Sequence, residues 1–388
     1  MSAVIISAVR SAVATSRKGT LANTQAEDLA IPVLQAAVKR AGVDPSQIDD
    51  VVLAESGYGG GVVARYAASE CGMTTTAGAA VNRHCAGSLT ALGFAAGSIV
   101  AGMERFVVAG GVYSSSTAPK MTRRALPGDE FQPWFPPTHV PTEDAPNLDM
   151  SITVGWNAAK AMGFTREQMD AWALRSHQRA VAAIDAGHFV DEIVPVMALM
   201  PDGSRREFSV DEHPRRDSSM ESLAALRVIH PEIEGFSITA GNASGVNDAA
   251  SAMVLTSADI AAADRLDVKA KVLGWTAVGI PPRDTGLAVG GAIIKLLGRV
   301  NRKADDVALW EINEAFASVP MAAARQVGIS EDVINISGSG CSIGHPIAAS
   351  GGRMIATLIN DLKRRGGGLG VAAMCAGGGM AGAVMIEV

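Results

Sequence analysis

Aromatic side chains are scarce in this chain, 4% of 388 residues, and cysteine is scarcer still, at four. So few thiols over such a length do not make a disulfide framework, and the expectation is a reducing compartment and a cytoplasmic protein. There is no surplus of positive charge: 33 Lys and Arg stand against 39 Asp and Glu, a formal net charge of −6. That balance argues against nucleic acid as a partner. No apolar run of membrane-spanning length is free of glycine interruption, so no membrane span is expected. What is abundant is glycine, 42 residues, within a chain that is 48% hydrophobic. This composition fits tightly packed, alternating α/β layers, and the length exceeds one ordinary domain.

The N-terminal SAVIISAVRSAVATSRKG has no acidic residue and carries Ser and Arg, a composition shared with transit peptides. Its AVIISAVR core clusters like a buried strand, and we read it as mature sequence. The C-terminal IEV is not a peroxisomal address.

Four segments carry reactive groups. Cys85, in VNRHCAGSLTALGFAAGSIVAG, opens an uncharged run to about Ala101 that reads as a helix apolar all round and therefore buried. A thiol in the first turn of such a helix faces unpaired N–H groups and the positive dipole end, which favour thiolate. A lone buried cysteine is more often inert packing, so the weight rests on the other segments. Near the C-terminus, strand-like LGVAAMCAGGGMAGAVMIEV places Cys375 just before Gly377, Gly378 and Gly379. The spacing Gly377-x-Gly379-x-x-Gly382 fits a dinucleotide fingerprint, but too little chain follows for the helix and acidic residue which that fold requires. A tight turn with backbone N–H groups open to an oxyanion is the better reading. In INISGSGCSIGHPIAASGGRM, an apolar strand (Val333–Ile336) should run into a Gly/Ser-rich loop carrying His345, a side chain able to deprotonate a thiol near neutral pH. Asn313, in NEAF after the strand Val307–Ile312, offers an amide to hold a water or orient the imidazole, or else a helix N-cap.

Together these segments resemble the thiolase family, whose members carry a nucleophilic Cys in a VN-x-x-C context, then NEAF, GHP and a terminal C-x-G-G-G. This chain has VNRHCAGS, TAGNASGVND (Thr239 to Asp248), NEAF, GHPIAASGGR and CAGGG in that order. FTREQMDAWALRSHQRA is similar to the family's loop-domain helix, and the resemblance spans essentially the whole chain. It implies an α/β fold, a five-layer α-β-α-β-α sandwich of two similar halves with an inserted loop domain. Residues 1–115 plus 248–265 would form the N-terminal half, 116–247 the coenzyme A-binding loop domain, and 266–388 the C-terminal half. A weak internal repeat agrees. A helix opened by the capping box Thr24-x-x-Glu27 leads to SQIDDVVLAES, and a similar helix near residue 285 leads to KADDVALWEIN. Pro32 should kink the first of these or delay its start. The insertion contains MTRRALPGDEFQPWFPPTHVPTEDAPN, proline-rich and too polar for core.

The implied activity is reversible acyl transfer: cleavage of 3-ketoacyl-CoA by coenzyme A, as in fatty acid β-oxidation, or condensation of two acetyl-CoA. Cys85 would be acylated, His345 would take its proton, Cys375 would exchange the α-proton, Asn313 would hold a water, and the N–H of Gly377 would stabilise an oxyanion. No metal or tightly bound cofactor is implied, since coenzyme A is a substrate. The resemblance places Arg215, Ser222, Ser244, Met150 and Phe316 at the coenzyme A and acyl contacts, although Arg215 could equally be a solvated surface charge. The sequence departs from the family where MG-x-TAEN becomes Met150-Ser-Ile-Thr-Val-Gly-Trp156, and in a GHP loop carrying Cys341, read as packing. A ketoacyl synthase or a non-catalytic acyl-CoA- or lipid-binding relative are the alternatives, and retention of both thiols argues against each. Apolar TTTAGAAVNRH would leave an open strand edge in a monomer, so a homodimer is expected, or a homotetramer joined through Met121–Pro137.

Overall fold

A computed structural model describes residues 2–58 and 62–388. The N-terminal part comprises β1 (Ala3–Ser11), β2 (Ala14–Thr15), α1 (Ala26–Ala41), β3 (Asp50–Glu55), α2 (Val63–Glu70), β4 (Ala77–Val81), α3 (Gly87–Val100) and β5 (Phe106–Tyr113). An insertion follows with β6 (Thr122–Arg124), β7 (Phe131–Pro133), α4 (Asn157–Met162), α5 (Arg166–Asp185), β8 (Ile193–Val194), β9 (Val196–Leu199), β10 (Arg205–Phe208) and α6 (Met220–Ala224). The chain then returns to the first part through β11 (Asn247–Ser257) and α7 (Ala258–Ala263). The last part runs β12 (Ala270–Gly279), α8 (Ala288–Val300), β13 (Val307–Ile312), α9 (Ser318–Val327), α10 (Ser350–Arg364), β14 (Leu369–Ala376) and β15 (Met380–Glu387).

The strands join in the order β13-β14-β15-β12-β1-β11-β5-β3-β4. Only two residue pairs, Val4 with Lys271 and Ile5 with Ala270, link β1 to β12, so the run divides there into two half-sheets. Between the half-sheets lie α3 and α10, each packed on strands of both. α1 and α2 cover the outer face of the first half-sheet, and α8 and α9 that of the second, giving the expected five layers. The central helices bury apolar side chains in both directions: Leu89, Leu92, Met354, Ile355 and Leu358 all sit in the core between the half-sheets. At about 25 cal/mol per Å² of apolar surface removed from water, each such side chain contributes roughly 1.5–3 kcal/mol.

Two buried ion clusters fix the parts to one another. Arg10 on β1 donates from Nε to Glu192 Oε1 at 2.7 Å and from its terminal nitrogens to Asp211 at 2.7 and 2.9 Å, tying the insertion to the first half-sheet. Arg353 on α10 donates to Glu311 Oε1 at 2.5 Å and to Ser339 Oγ at 2.9 Å, fixing α10 to β13 and to the loop ahead of His345.

Local expectations need four corrections. Thr24 does not cap α1: Gln25 is the residue before the helix, and Thr24 Oγ1 accepts the Leu199 N–H at 3.1 Å instead. Pro32 does not delay α1, which starts at Ala26 and runs to Ala41, with Val33, Leu34, Ala37 and Val38 locked into the core on one face. Val333–Ile336 is not a strand; only Ile334 makes a bridge, to Trp310, and Asn335 turns the chain at φ 52°. Cys85 lies in a single 3-10 turn, His84–Ala86, and α3 begins at Gly87.

Candidate active site

Loops that follow β4 and β13, the loop that precedes α10 and the end of β14 converge where the two half-sheets face each other. The chain leaves β4 and turns sharply. Asn82 Oδ1 accepts the His84 N–H at 2.9 Å, and His84 takes φ 44°. That left-handed conformation, unusual for a side chain with a Cβ and of order 1–3 kcal/mol in cost, delivers Cys85 to the site. The N–H groups of Cys85 itself and of Gly377 lie near Cys85 Sγ, and both favour thiolate. Burial outweighs them and pushes the thiol up to about 11. The N–H groups that favour the anion are outweighed by its desolvation, so the thiol needs a base to take its proton.

His345 is 6% exposed, and burial, helped by the charge of Arg353, pushes its pKa down to about 3. It is a neutral imidazole across the physiological range. Ser350 Oγ donates its one proton to Pro346 O at 2.9 Å and lies 2.6 Å from His345 Nδ1. With the hydroxyl proton on Pro346 O, the hydroxyl accepts from Nδ1–H and Nε2 keeps the lone pair, the tautomer that the base role of His345 requires. Ser350 was not among the residues singled out by sequence; its signal is a hydroxyl at the start of the helix five residues beyond the histidine. Asn313 is fully buried and places Nδ2 at 3.4 and 3.5 Å from the two ring nitrogens, against the ring rather than in line with one lone pair. It is not the N-cap of α9, which begins at Ser318. Its Oδ1 has no partner among the described residues.

Cys375, near the end of β14, is 2% exposed. Burial raises its pKa, and negative charge on neighbouring Cys85 would raise it further, which places the two sulfurs within electrostatic reach. The turn that follows requires its glycines. A Cβ on Gly379 would stand 2.0 Å from Ile280 O, and one on Gly378 2.7 Å from Thr138 Cβ, both at positive φ. A Cβ on Gly377 would enter the space between Met150 Sδ at 3.8 Å and His84 Cδ2 at 4.0 Å.

Two further residues hold these loops together, and neither was foreseen. Glu314 accepts from Trp172 Nε1 (2.9 Å), Asn335 Nδ2 (2.8 Å), Ser176 Oγ (2.6 Å) and the Cys341 N–H (3.0 Å), binding NEAF to the GHP loop and to α5. Asn247 donates to Ala14 O at 3.0 Å and accepts the His345 N–H at 2.9 Å, so β11 carries the histidine loop. Only the joint reading of NASGVND with GHP could have indicated it.

The five candidate substrate contacts fall into two groups. Met150 flanks Gly377, and Ser244 donates its N–H to Ala315 O at 2.9 Å beside the bridge between Ala243 and Phe316. Arg215 and Ser222 line a separate cavity of about 170 Å³ with His177, His213 and Cys341. Arg215 is exposed, while its neighbour Arg216 is held by Asp185 at 2.6 and 2.8 Å. The Ser222 hydroxyl donates to Ser219 O at 2.9 Å within the cap of α6. Trp156 packs on Phe236, ring centroids 5.4 Å apart. No helix among the described residues is long and apolar enough to cross a membrane.

Residues 3–259 match the family "Thiolase, N-terminal domain" and residues 266–388 match "Thiolase, C-terminal domain". The chain is 36% identical to the acetyl-CoA acetyltransferase of Escherichia coli K12 over 99% of its own length and 98% of the relative's. It is also 36% identical to a beta-ketoadipyl-CoA thiolase of Acinetobacter baylyi, over 95% of each chain. Its structure resembles the crystal structure of the Bacillus anthracis acetyl-CoA acetyltransferase with a TM-score of 0.90 and 36% identity, covering 100% of this chain and 98% of that one.

Proposed function

This chain belongs to the thiolase family and is an acyltransferase of that kind, and from that premise we propose which residues carry the reaction and how. Neither a ketoacyl synthase nor a non-catalytic relative is favoured. The observation that supports the assignment is Cys85 set in the turn between β4 and α3, near the Gly377 N–H and within electrostatic reach of Cys375.

In thiolysis, Cys85 attacks C3 of a 3-ketoacyl-CoA while Nε2 of His345 takes the thiol proton. The N–H groups of Cys85 and Gly377 stabilise the resulting oxyanion. The C2–C3 bond breaks, its electron pair forms the enolate of acetyl-CoA, and Cys375 protonates that carbon. The thiol of coenzyme A then attacks acyl-Cys85, its proton passing to the Cys375 thiolate; the bond from the acyl carbon to Cys85 breaks, and the departing Cys85 sulfur takes back the proton held by His345. Condensation of two acetyl-CoA is the same path reversed. His345, with a water on Asn313, holds the enolate oxygen, a role suited to the partnerless Oδ1 of Asn313. Both thiols and the imidazole begin neutral, so proton transfer accompanies the attack.

The division into domains follows the same reading. Residues 116–247 form the loop domain that holds coenzyme A, with Arg215 and Ser222 towards its phosphate end and Ser244, Met150 and Phe316 towards the thioester. β4 lies at one end of the strand order, and its residues are exposed or half-buried, which favours a dimer closed edge to edge. Light scattering at micromolar protein tests this, and a fully active monomer would refute it. The test of the chemistry is Cys85→Ala, which should abolish both thiolysis and condensation while leaving the thermal unfolding of the protein unchanged. Iodoacetamide should alkylate Cys85 first, and labelling confined to Cys71 or Cys341 with activity retained would overturn the assignment.

A further inference from the structure

Ser151–Trp156, where the sequence departs from the family, forms a wide π-helical turn that leads into α4. Such turns are uncommon and recur at functional sites. Met150, which flanks Gly377, stands immediately before it, and Trp156 is its last residue. Both ends of the turn are fastened to one loop, residues 229–238, which closes on itself where the Ile229 N–H donates to Ile238 O at 2.9 Å. That loop runs directly into TAGNASG, the segment that carries Ser244.

At the first end the fastening is ionic. His230 Nε2 lies 2.7 Å from Asp149 Oδ2, and Nδ1 lies 2.7 Å from Glu232 Oε1. An ionised carboxylate only accepts, so both ring nitrogens donate and His230 holds the two acids as an imidazolium. A neutral ring has one N–H and keeps only one of them. Asp149 spends its other oxygen, Oδ1, on the N–H and hydroxyl of Ser151, at 3.0 and 2.6 Å, which sets the start of the turn. At the second end the fastening is aromatic. Phe236 packs edge to face with His230, ring centroids 5.0 Å apart, and also against Trp156. The charges that face His230 are thus Asp149, ahead of the turn, and Glu232, on its own loop; Phe236 and Trp156 are uncharged.

We propose that His230 is a positioning residue: with Asp149, Glu232 and the Trp156–Phe236 pair, it clamps the turn behind Met150 to the loop ahead of Ser244 and so shapes the wall that the acyl-CoA thioester lies against. The inference rests on the thiolase reading and deepens it. No reacting group is among the partners of His230, so the clamp acts on binding rather than on bond-making. The bond to Glu232 first, and Asp149 with it, raises the His230 pKa above its ordinary 6.5. The clamp is therefore complete below that value and loosens as pH rises through the raised one.

The experiment is steady-state thiolysis of acetoacetyl-CoA and a medium-chain 3-ketoacyl-CoA by the full chain, from about pH 6 to about pH 9. His230→Ala should raise KM for the 3-ketoacyl-CoA at least about threefold over the parent at the acid end, with kcat within about twofold. The ratio of the two KM values, in which ionisation of the substrate cancels, should shrink towards the alkaline end, where the parent ring is neutral too. His230→Arg, which can donate to both acids and stays charged, should keep the low KM across the whole range. A merely structural loss would lower kcat with the active fraction and leave KM alone. Asp149→Asn, which keeps an oxygen for Ser151, is the second variant should His230→Ala fold poorly; it too should raise KM at the acid end. A parental KM at the acid end in both His230→Ala and Asp149→Asn, or a ratio that stays constant with pH, overturns the inference and leaves the thiolase reading intact. Failure of the parent to cleave either substrate would instead sink that reading.

Discussion

Replacing Ser350 by alanine removes one oxygen from a residue with no solvent exposure and leaves the helix N-terminus it occupies otherwise unchanged. The hydroxyl now accepts from His345 Nδ1 at 2.6 Å while donating to Pro346 O, and this pair of bonds decides which ring nitrogen carries the lone pair. Without it, Nδ1–H is buried and unpartnered, a state that costs about 1–3 kcal/mol. The ring escapes that cost by moving its proton to Nε2 or by rotating, and either removes the base from Cys85. A loss of 1–3 kcal/mol in the transition state corresponds to about fivefold to two-hundredfold in kcat. KM should change little, because Ser350 touches the imidazole and not the substrate. Steady-state thiolysis gives the split between kcat and KM, and rapid-mixing measurement of acyl-enzyme formation should show the same loss in the first half-reaction. Alkylation of Cys85 by iodoacetamide should slow in parallel, a readout that a merely structural role would not move. Ser350→Thr, which keeps the hydroxyl, should recover most of the rate. A Ser350→Ala enzyme with kcat within twofold of the parent would refute the tautomer argument.

Cys375→Ser should still form acyl-enzyme from acetyl-CoA but make and cleave the carbon–carbon bond at least a hundredfold more slowly, since acylation uses Cys85 and His345 alone; equal loss of both half-reactions would contradict the division of labour. The alkylation rate of Cys85 should keep rising with pH well beyond 9, because burial holds its pKa at about 11 and the thiolate fraction is still growing there; a plateau near the ordinary thiol value of about 8.5 would show that the two N–H donors win over desolvation.

The reactive residues were legible because each lies in a short segment whose local pattern fixes its placement: a strand, a glycine-rich turn, then an apolar helix or strand. Cys85 after β4, Asn313 after β13 and Cys375 at the end of β14 are placed by the hydrophobic pattern around them, whereas the five layers came from the resemblance to thiolases. What was not legible depends on contacts between segments distant in sequence. Glu314 reads as one acid in NEAF until Trp172, Ser176, Asn335 and Cys341 are seen to converge on it, and Asn247 reads as a turn residue until it meets the His345 N–H. Pro32 does not shorten α1 because propensity is a local term of about 3 kcal/mol, and several buried side chains on one helical face exceed it.

Desolvation also sets the charge state of the nucleophile. A helix N-terminus argues for thiolate only where water still reaches the sulfur well enough to make the anion affordable. Here His345 and Cys375 are buried and Cys85 is half-buried, and desolvation moves each toward its neutral form. A resting thiolate–imidazolium pair would engage the two N–H donors before any substrate arrived. Neutral partners leave the N–H groups of Cys85 and Gly377 less satisfied in the ground state than in the transition state, when an oxyanion replaces an uncharged sulfur as their acceptor. Only an interaction that strengthens in this way lowers the barrier. On that argument the elevated thiol pKa is not a defect in the nucleophile but the condition under which the oxyanion contacts become catalytic, provided His345 can remove the proton as the carbon–sulfur bond forms.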